Sequence, residues 1–212
     1  MKAICGLVML FGVTGGAAAA EPPAWYMAGH IGANTLDDWP AKVDFGGVEV
    51  SGKLGLKRGS HAGLMVGRET AHSRLELEFG HGRIKIDSIE LSGVAEPAGQ
   101  RGHYDVVLAN AYRHDALTES LSAFAGIGAG WGRATLPTLR FNSGCECLGP
   151  ASRSGLAYQG RLGLAYKMSP RNTFSIQYSH LSLVGPRRSG APAVEYGRRS
   201  FGALSAAYAR YF

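Results

Sequence analysis

The sequence predicts an all-β protein, an eight-stranded antiparallel up-and-down transmembrane β-barrel. Three observations predict this fold. Eight segments alternate in side-chain character with a period of two, the links between them are alternately short and long, and glycine supplies 31 of the 212 residues. Glycine costs about 1 kcal/mol relative to alanine inside a helix, so this composition disfavours helices. Alternating strands can cross a bilayer only as a closed barrel, because lipid offers no partner to an open sheet edge.

The first twenty residues have the pattern of a secretory signal peptide. Lys2 supplies the positive charge, an apolar stretch follows from Ile4 to Val13, and Ala18-Ala19-Ala20 form the small-residue cleavage site before Glu21. The apolar stretch is too short for a membrane helix, which needs about 20 residues. We therefore expect residues 1–20 to be removed and residues 21–212 to form one barrel domain.

Five segments show the alternation most clearly: 73–80, 103–112, 119–131, 156–168 and 173–182. Phe124 is out of pattern with its neighbours. Less regular segments at 25–34, 61–69 and 199–212 complete an even count, as bacterial barrels of this kind usually have. Residues 43–58 contain further apolar residues, which could form an extra hairpin or be the true second strand.

The lengths of the links orient the barrel. Short links fall at 70–72, 113–118 and 168–172, and long links fall at 35–60, 87–102, 132–155 and 185–198. Outer-membrane barrels have tight periplasmic turns and longer external loops. We therefore expect the four long links to lie outside the cell.

The more apolar face of each strand is predicted to face lipid. A soluble barrel would bury that face instead, but its solvated surface would carry more charge than the opposite faces do here. Tyr104 with Tyr112, and Tyr158 with Tyr166, are spaced to mark two aromatic girdles. Val106 and Leu108 are predicted to face lipid in phase with Tyr104 and Tyr112.

Four charged residues are predicted to face the interior together: Glu76, Glu78, Asp105 and Arg161. Buried charges are costly unless they are paired, so a salt-bridged plug is the favoured interpretation. The alternative is an ion-selective passage, although eight strands leave an interior that side chains just fill.

Several segments resemble the small outer-membrane β-barrel proteins of the opacity-protein and porin-like surface-antigen type. The resemblance runs from Trp25 to Phe212 and is carried by 73–79 (SRLELEF), 107–112 (VLANAY), 124–130 (FAGIGAG) and the closing ARYF, which ends on an aromatic residue. Arg113-His114 and the insertion at 43–60 depart from the family pattern. The resemblance implies a non-enzymatic protein of the bacterial outer membrane whose external loops contact hosts, antibodies or other surface molecules.

One arrangement could be catalytic. His180, Ser182 and Glu195 could form a triad, and His180-Leu181-Ser182 resembles the His-x-Ser of outer-membrane lipid A deacylases. That family has an asparagine after the serine as an oxyanion donor, where this chain has Leu183. Losing one such donor typically costs about 10²–10³ in rate. A polar cap at the end of the strand is therefore the favoured interpretation, and a lipid A-modifying hydrolase the alternative.

The formal charge of +6 suggests anionic lipid headgroups rather than nucleic acid as partners of an exported chain. Arginine forks suit phosphate, so lipopolysaccharide phosphates are candidate ligands of the four arginines around the last long link: Arg187, Arg188, Arg198 and Arg199. The alternative is that these arginines are ordinary solvated charges of an external loop. We expect a monomer.

The sequence offers no clear cofactor or metal site. Cys145 and Cys147 could form a local disulfide in an oxidising compartment, and no pair of histidines has convincing metal-ligand spacing. We therefore expect neither a metal ion nor a cofactor.

Overall fold

The computed structural model describes residues 24–212. The predicted signal peptide, residues 1–20, lies outside the described residues. The sheet consists of thirteen strands: β1 (Ala24–Thr35), β2 (Trp39–Asp44), β3 (Glu49–Lys57), β4 (Gly59–Glu69), β5 (Ser73–Leu91), β6 (Val94–Pro97), β7 (Arg101–Ala116), β8 (Leu121–Leu136), β9 (Ala151–Ser169), β10 (Asn172–Leu183), β11 (Arg187–Arg188), β12 (Ala193–Tyr196) and β13 (Arg199–Tyr211). No helix in the described residues is long and apolar enough to cross a membrane.

Eight of these strands close into an antiparallel barrel, which confirms the predicted fold. Each pairs with the next in the order β1, β4, β5, β7, β8, β9, β10 and β13, and β13 pairs back with β1. All eight predicted strands are present. The largest errors in their bounds lie at the ends that carry the long links, where β5 continues to Leu91 and β9 begins at Ala151.

The remaining five strands extend the barrel on its external side. The segment 43–58 forms an extra hairpin of β2 and β3, not the second barrel strand, and its turn holds Gly46 and Gly47 at φ of 84° and 107°. That positive φ favours glycine. β3 pairs with the outer half of β5, β2 with β12, β12 with β11, and β11 with β9 at one position. The β5–β3–β2–β12–β11–β9 segment is called the external layer below.

The interior changes character along the barrel axis. At the external end it is an apolar core, which includes Trp39, Leu54, Ile84, Leu136, Leu183, Tyr196 and Phe201. At mid-height it is polar, with Glu76, Glu78 and Arg161 among the buried residues. At the periplasmic end a vestibule of about 440 Å³ is open to solvent.

The outer wall is apolar, as predicted. Large side chains that point away from the interior are exposed on every barrel strand, among them Trp25, Leu64, Leu77, Val107, Ile127, Leu162, Ile176 and Leu204. Tyr158 and Tyr166 also face outward, as the girdle prediction requires.

The predicted phase of β7 is wrong. Tyr104 and Tyr112 are each only 4% exposed and point inward with Val106 and Leu108, whereas Asp105 points outward. Tyr104, Val106 and Leu108 belong to the apolar core at the external end, where the inner face of β7 is as apolar as a lipid-facing one. Tyr112 points inward to pack against Phe124 and to donate its hydroxyl to Glu76. Alternation alone could not identify the face that meets lipid.

Candidate functional site

The polar layer at mid-height is built around Arg161 on β9. Its Nη2 donates to both carboxylate oxygens of Glu78 at 2.7 Å, and its Nη1 lies 3.4 Å from Glu76 Oε1. All three side chains are at least 96% buried. Of the four residues predicted to face inward together, the structure brings these three into contact.

Neutral side chains complete the hydrogen bonding of the two carboxylates. Asn110 Nδ2 donates to Glu78 Oε2 at 2.9 Å, and Gln159 Nε2 donates to the same oxygen at 2.7 Å. Tyr26 and Tyr112 donate their hydroxyls to Glu76 at 2.7 and 3.1 Å. Buried charges become tolerable when their remaining lone pairs are satisfied in this way.

A second buried cation lies below this layer. Arg74 Cζ lies 4.4 Å from the centre of the Tyr112 ring and 4.7 Å from that of Phe124. Phe124 is out of pattern in the sequence because it points inward to this stack. Arg161 and Arg74 together balance the formal charges of the two buried carboxylates, Glu76 and Glu78.

The external end is sealed by the link 137–150, which folds into the apolar core. Cys145 and Cys147 form the local disulfide that the sequence suggested. Tyr196 donates its hydroxyl to the carbonyl of Leu148 at 2.5 Å, and burial raises the pKa of this phenol above its ordinary value. Arg188 donates to the carbonyls of three residues, Glu146, Gly149 and Pro192.

The three candidate catalytic residues lie in three different environments. His180 is exposed on the outer wall, whereas Ser182 is 1% exposed and its Oγ has no hydrogen-bond partner in the described residues. Glu195 lies on β12, where Oε1 is 3.7 Å from Arg153 Nη1. Within residues 24–212, no hydrogen bond joins any two of His180, Ser182 and Glu195.

Most of the arginines around the last long link contact the protein itself. Arg188 is held by backbone carbonyls, Arg198 donates to the carbonyl of Leu156 at 3.1 Å, and Arg199 lies 3.5 Å from Asp37. Arg187 is exposed. Three of the four arginines, Arg188, Arg198 and Arg199, therefore make contacts within the protein at its external end.

A different polar cluster, which the sequence did not predict, lies on the outer wall. Asp105 Oδ1 accepts a hydrogen bond from His81 Nδ1 at 2.8 Å, and the rings of His81 and His103 stack with their centroids 5.8 Å apart. The sequence pattern predicts Asp105 on the inner face, so this cluster becomes apparent only from the observed phase of β7. No group of three His, Cys, Asp or Glu side chains in residues 24–212 has the arrangement of a metal site.

The chain is similar to solved structures of small outer-membrane barrels. Neisserial surface protein A matches 91% of this chain and 100% of its own length, with a TM-score of 0.56 and 13% identity. Two further proteins match with lower scores. The outer membrane protease OmpT of Escherichia coli matches 88% of this chain and 97% of its own length, with a TM-score of 0.49 and 8% identity. Ail, the attachment invasion locus protein of Yersinia pestis, matches 88% of this chain and 98% of its own length, with a TM-score of 0.44 and 16% identity.

No protein-family model and no curated protein sequence matches the chain. At 13% identity, the similarity to the neisserial protein shows the fold. The closed ring of eight strands and the apolar outer wall agree with it. The chain therefore has the fold of the small bacterial outer-membrane β-barrel proteins, as its resemblance to the opacity and surface-antigen type implied.

Proposed function

We propose that this protein is a non-enzymatic outer-membrane barrel that binds surface molecules through its external layer. One observation carries the proposal. Segments that the sequence presents as loops are joined by hydrogen bonds into a continuous sheet above a filled interior. Binding constellations are held more accurately on strands than on free loops, so this layer suits recognition.

The tip of the β2–β3 hairpin is the candidate contact point. Phe45 is 43% exposed and Val48 is 65% exposed there, at the end that faces away from the membrane. Exposed apolar side chains on a rigid support commonly mark interaction sites. Around them Lys42 and Glu49 form an ion pair at 2.8 Å, which fits the polar rim of a binding surface.

Two other functions have less support. A lipid A-modifying hydrolase would need His180, Ser182 and Glu195 together, and Glu195 is paired with Arg153 instead. A narrow pore would need a continuous passage, and the interior is occupied by the buried pair of Arg161 and Glu78 and by the apolar core above it.

Adherence of bacteria that display the full chain tests the proposal. We expect displaying bacteria to adhere to cultured epithelial cells more than non-displaying bacteria do. The double substitution Phe45→Ser and Val48→Ser should lower adherence towards that of the non-displaying bacteria, because it removes the apolar tip. Leu117→Ser, which changes an exposed apolar residue at the opposite end of the barrel, is the matched control and should have no effect.

Correct folding of each variant is checked by the change in gel mobility on boiling. If displaying and non-displaying bacteria adhere equally, surface binding to such cells is wrong. If the double variant adheres as well as the unchanged protein, the hairpin tip is not the contact point.

A further inference from the structure

A groove of about 830 Å³ crosses the lipid-facing wall of β13, β1, β4 and β5. This volume falls within the range of small-molecule sites, about 300–1,000 Å³. Small residues form its floor and large apolar residues form its sides: Gly29, Ala62 and Ala206 below, and Ile31, Leu64, Phe79 and Tyr208 around them.

Strand register explains the groove. Gly29 lies directly between Tyr208 of β13 and Leu64 of β4, so one outward position lacks a side chain between two large ones. A Cβ at Gly29 would meet Leu64 Cδ2 at 3.7 Å, an ordinary contact. The protein's own packing therefore does not require glycine at this position, and the space is open to the membrane.

The external end of the groove is polar. Ala62 pairs in register with His81, and His81 with Asp105, so the groove ends at the hydrogen-bonded pair described above. The next outward residue of β5 is Arg83, about 7 Å further along the strand. The outer wall therefore changes from apolar to charged between successive outward-facing residues of β5.

Four cations point outward on three adjacent strands at and beyond this boundary: Arg133 in the same row as the His81–Asp105 pair, and Arg83, Lys85 and Arg101 beyond it. Register places Lys85 beside Arg101 and Arg133 beside Asp105. Nearby Lys57 is paired with Asp87, but none of the four cations forms an ion pair with another part of residues 24–212. This separates them from Arg188, Arg198 and Arg199, whose guanidinium groups are held by the protein.

The size of this basic patch indicates more than one anionic group. Neighbouring strands lie about 4.8 Å apart, so β5 to β8 spans about 10 Å, and the patch is two to three residue rows tall. A single phosphate could reach only part of it. Charge complementarity therefore favours a lipid with several phosphates over one with a single phosphate.

We propose that this wall binds the phosphorylated glycolipid of the outer leaflet, the lipid A part of lipopolysaccharide. One acyl chain lies in the groove over Gly29, and the phosphates lie against Arg83, Lys85, Arg101 and Arg133. The site is separate from the hairpin tip of the proposed function, so either can fail without the other. It also differs from the arginines around the last long link, which the sequence suggested for this ligand.

Native mass spectrometry of the refolded chain 21–212 with added lipid A tests the site. Replacing Arg83, Lys85, Arg101 and Arg133 with Gln should weaken lipid A binding at least ~10-fold, since each cation near anionic lipid contributes about 1 kcal/mol. The matched control replaces four cations at the periplasmic end with Gln, namely Arg68, Lys167, Arg171 and Arg210, and should retain binding. Lipid A stripped of its phosphates should bind the unchanged protein and the first variant equally weakly.

A second pair of variants tests the groove without altering charge. Gly29→Leu fills the floor and should weaken lipid A binding, whereas Gly160→Leu should not. Gly160 faces outward on β9, and a Cβ there would meet nothing within 4 Å. It therefore accepts the same side chain outside the groove.

Four results would each overturn the site. The first two are an equal loss of lipid A binding in both charge variants, and unchanged lipid A binding in the variant that lacks Arg83, Lys85, Arg101 and Arg133. The third is an equal loss of lipid A binding in Gly29→Leu and Gly160→Leu. The fourth is that a single-phosphate phospholipid such as phosphatidylglycerol binds the unchanged protein as tightly as lipid A does. Gel mobility on boiling confirms that every variant has folded before its binding is compared.

Discussion

Arg161 is the residue on which the polar layer depends. Its guanidinium lies between two buried carboxylates, and its contact with Glu78 is the shortest ion pair of the interior. Desolvating an ion costs several kcal/mol, and that cost is recovered only while the partner is present. The alternation in the sequence predicts that Glu76, Glu78 and Arg161 face inward, but the same reasoning places Asp105 there wrongly, because Asp105 points outward and pairs with His81.

Arg161→Met should therefore destabilise the barrel by about 3–5 kcal/mol, because it leaves Glu78 buried without its cation. Urea unfolding in lipid vesicles, followed by tryptophan fluorescence, measures the change. The double variant Arg161→Met with Glu78→Gln removes both charges and should recover much of the loss. A double variant less stable than Arg161→Met would show that the charge pair is not what the layer requires.

At the scale of strands, the sequence predicted the membrane-crossing part and missed the external layer. Lipid demands one apolar face from every barrel strand, which leaves a period of two in the sequence. Strands β2, β3, β11 and β12 meet water on one side, so they leave a weaker and shorter pattern. Long-range pairings such as Val194 with Val43 have no local signal at all.

The same reasoning explains why the site residues were predicted unevenly. The phase of the alternation predicts the inward charges, but a neutral amide such as Asn110 gives no charge signal. The pattern predicts Tyr104 in a girdle because its neighbours are apolar, although these neighbours belong to the apolar core. The basic patch on the wall depends on the register of three strands, which one sequence does not contain.

Arg188 on β11 is expected to hold the link 137–150 in place through its bonds to Glu146 and Gly149. Arg188→Ala should speed trypsin cleavage after Arg140, the one basic residue in that link, by about 30-fold if about 2 kcal/mol of charged hydrogen bonding is lost. Arg187→Ala removes the same charge and a neighbouring trypsin site, so it is the matched control. Equal cleavage rates in the two variants would contradict this role.

For the molecule as a whole, the three interior levels imply different access to water. The vestibule at the periplasmic end is open as far as Arg74 and Glu76, the side chains of Glu78 and Arg161 above it are buried, and the apolar core is sealed above by the link 137–150. Such a barrel is closed from outside and open from the periplasm over part of its length. This asymmetry follows from the external layer, which adds apolar residues only above one end of the barrel.

Single cysteines placed at two levels would measure this asymmetry. Ala209 lines the vestibule and Ala157 is fully buried in the apolar core, while the native Cys145 and Cys147 are paired and do not compete. In folded protein, an impermeant thiol reagent should label Ala209→Cys readily and Ala157→Cys only after unfolding. Rapid labelling of Ala157→Cys in the folded barrel would mean that water, and therefore small solutes, passes the apolar core, and the pore alternative would then replace the closed barrel.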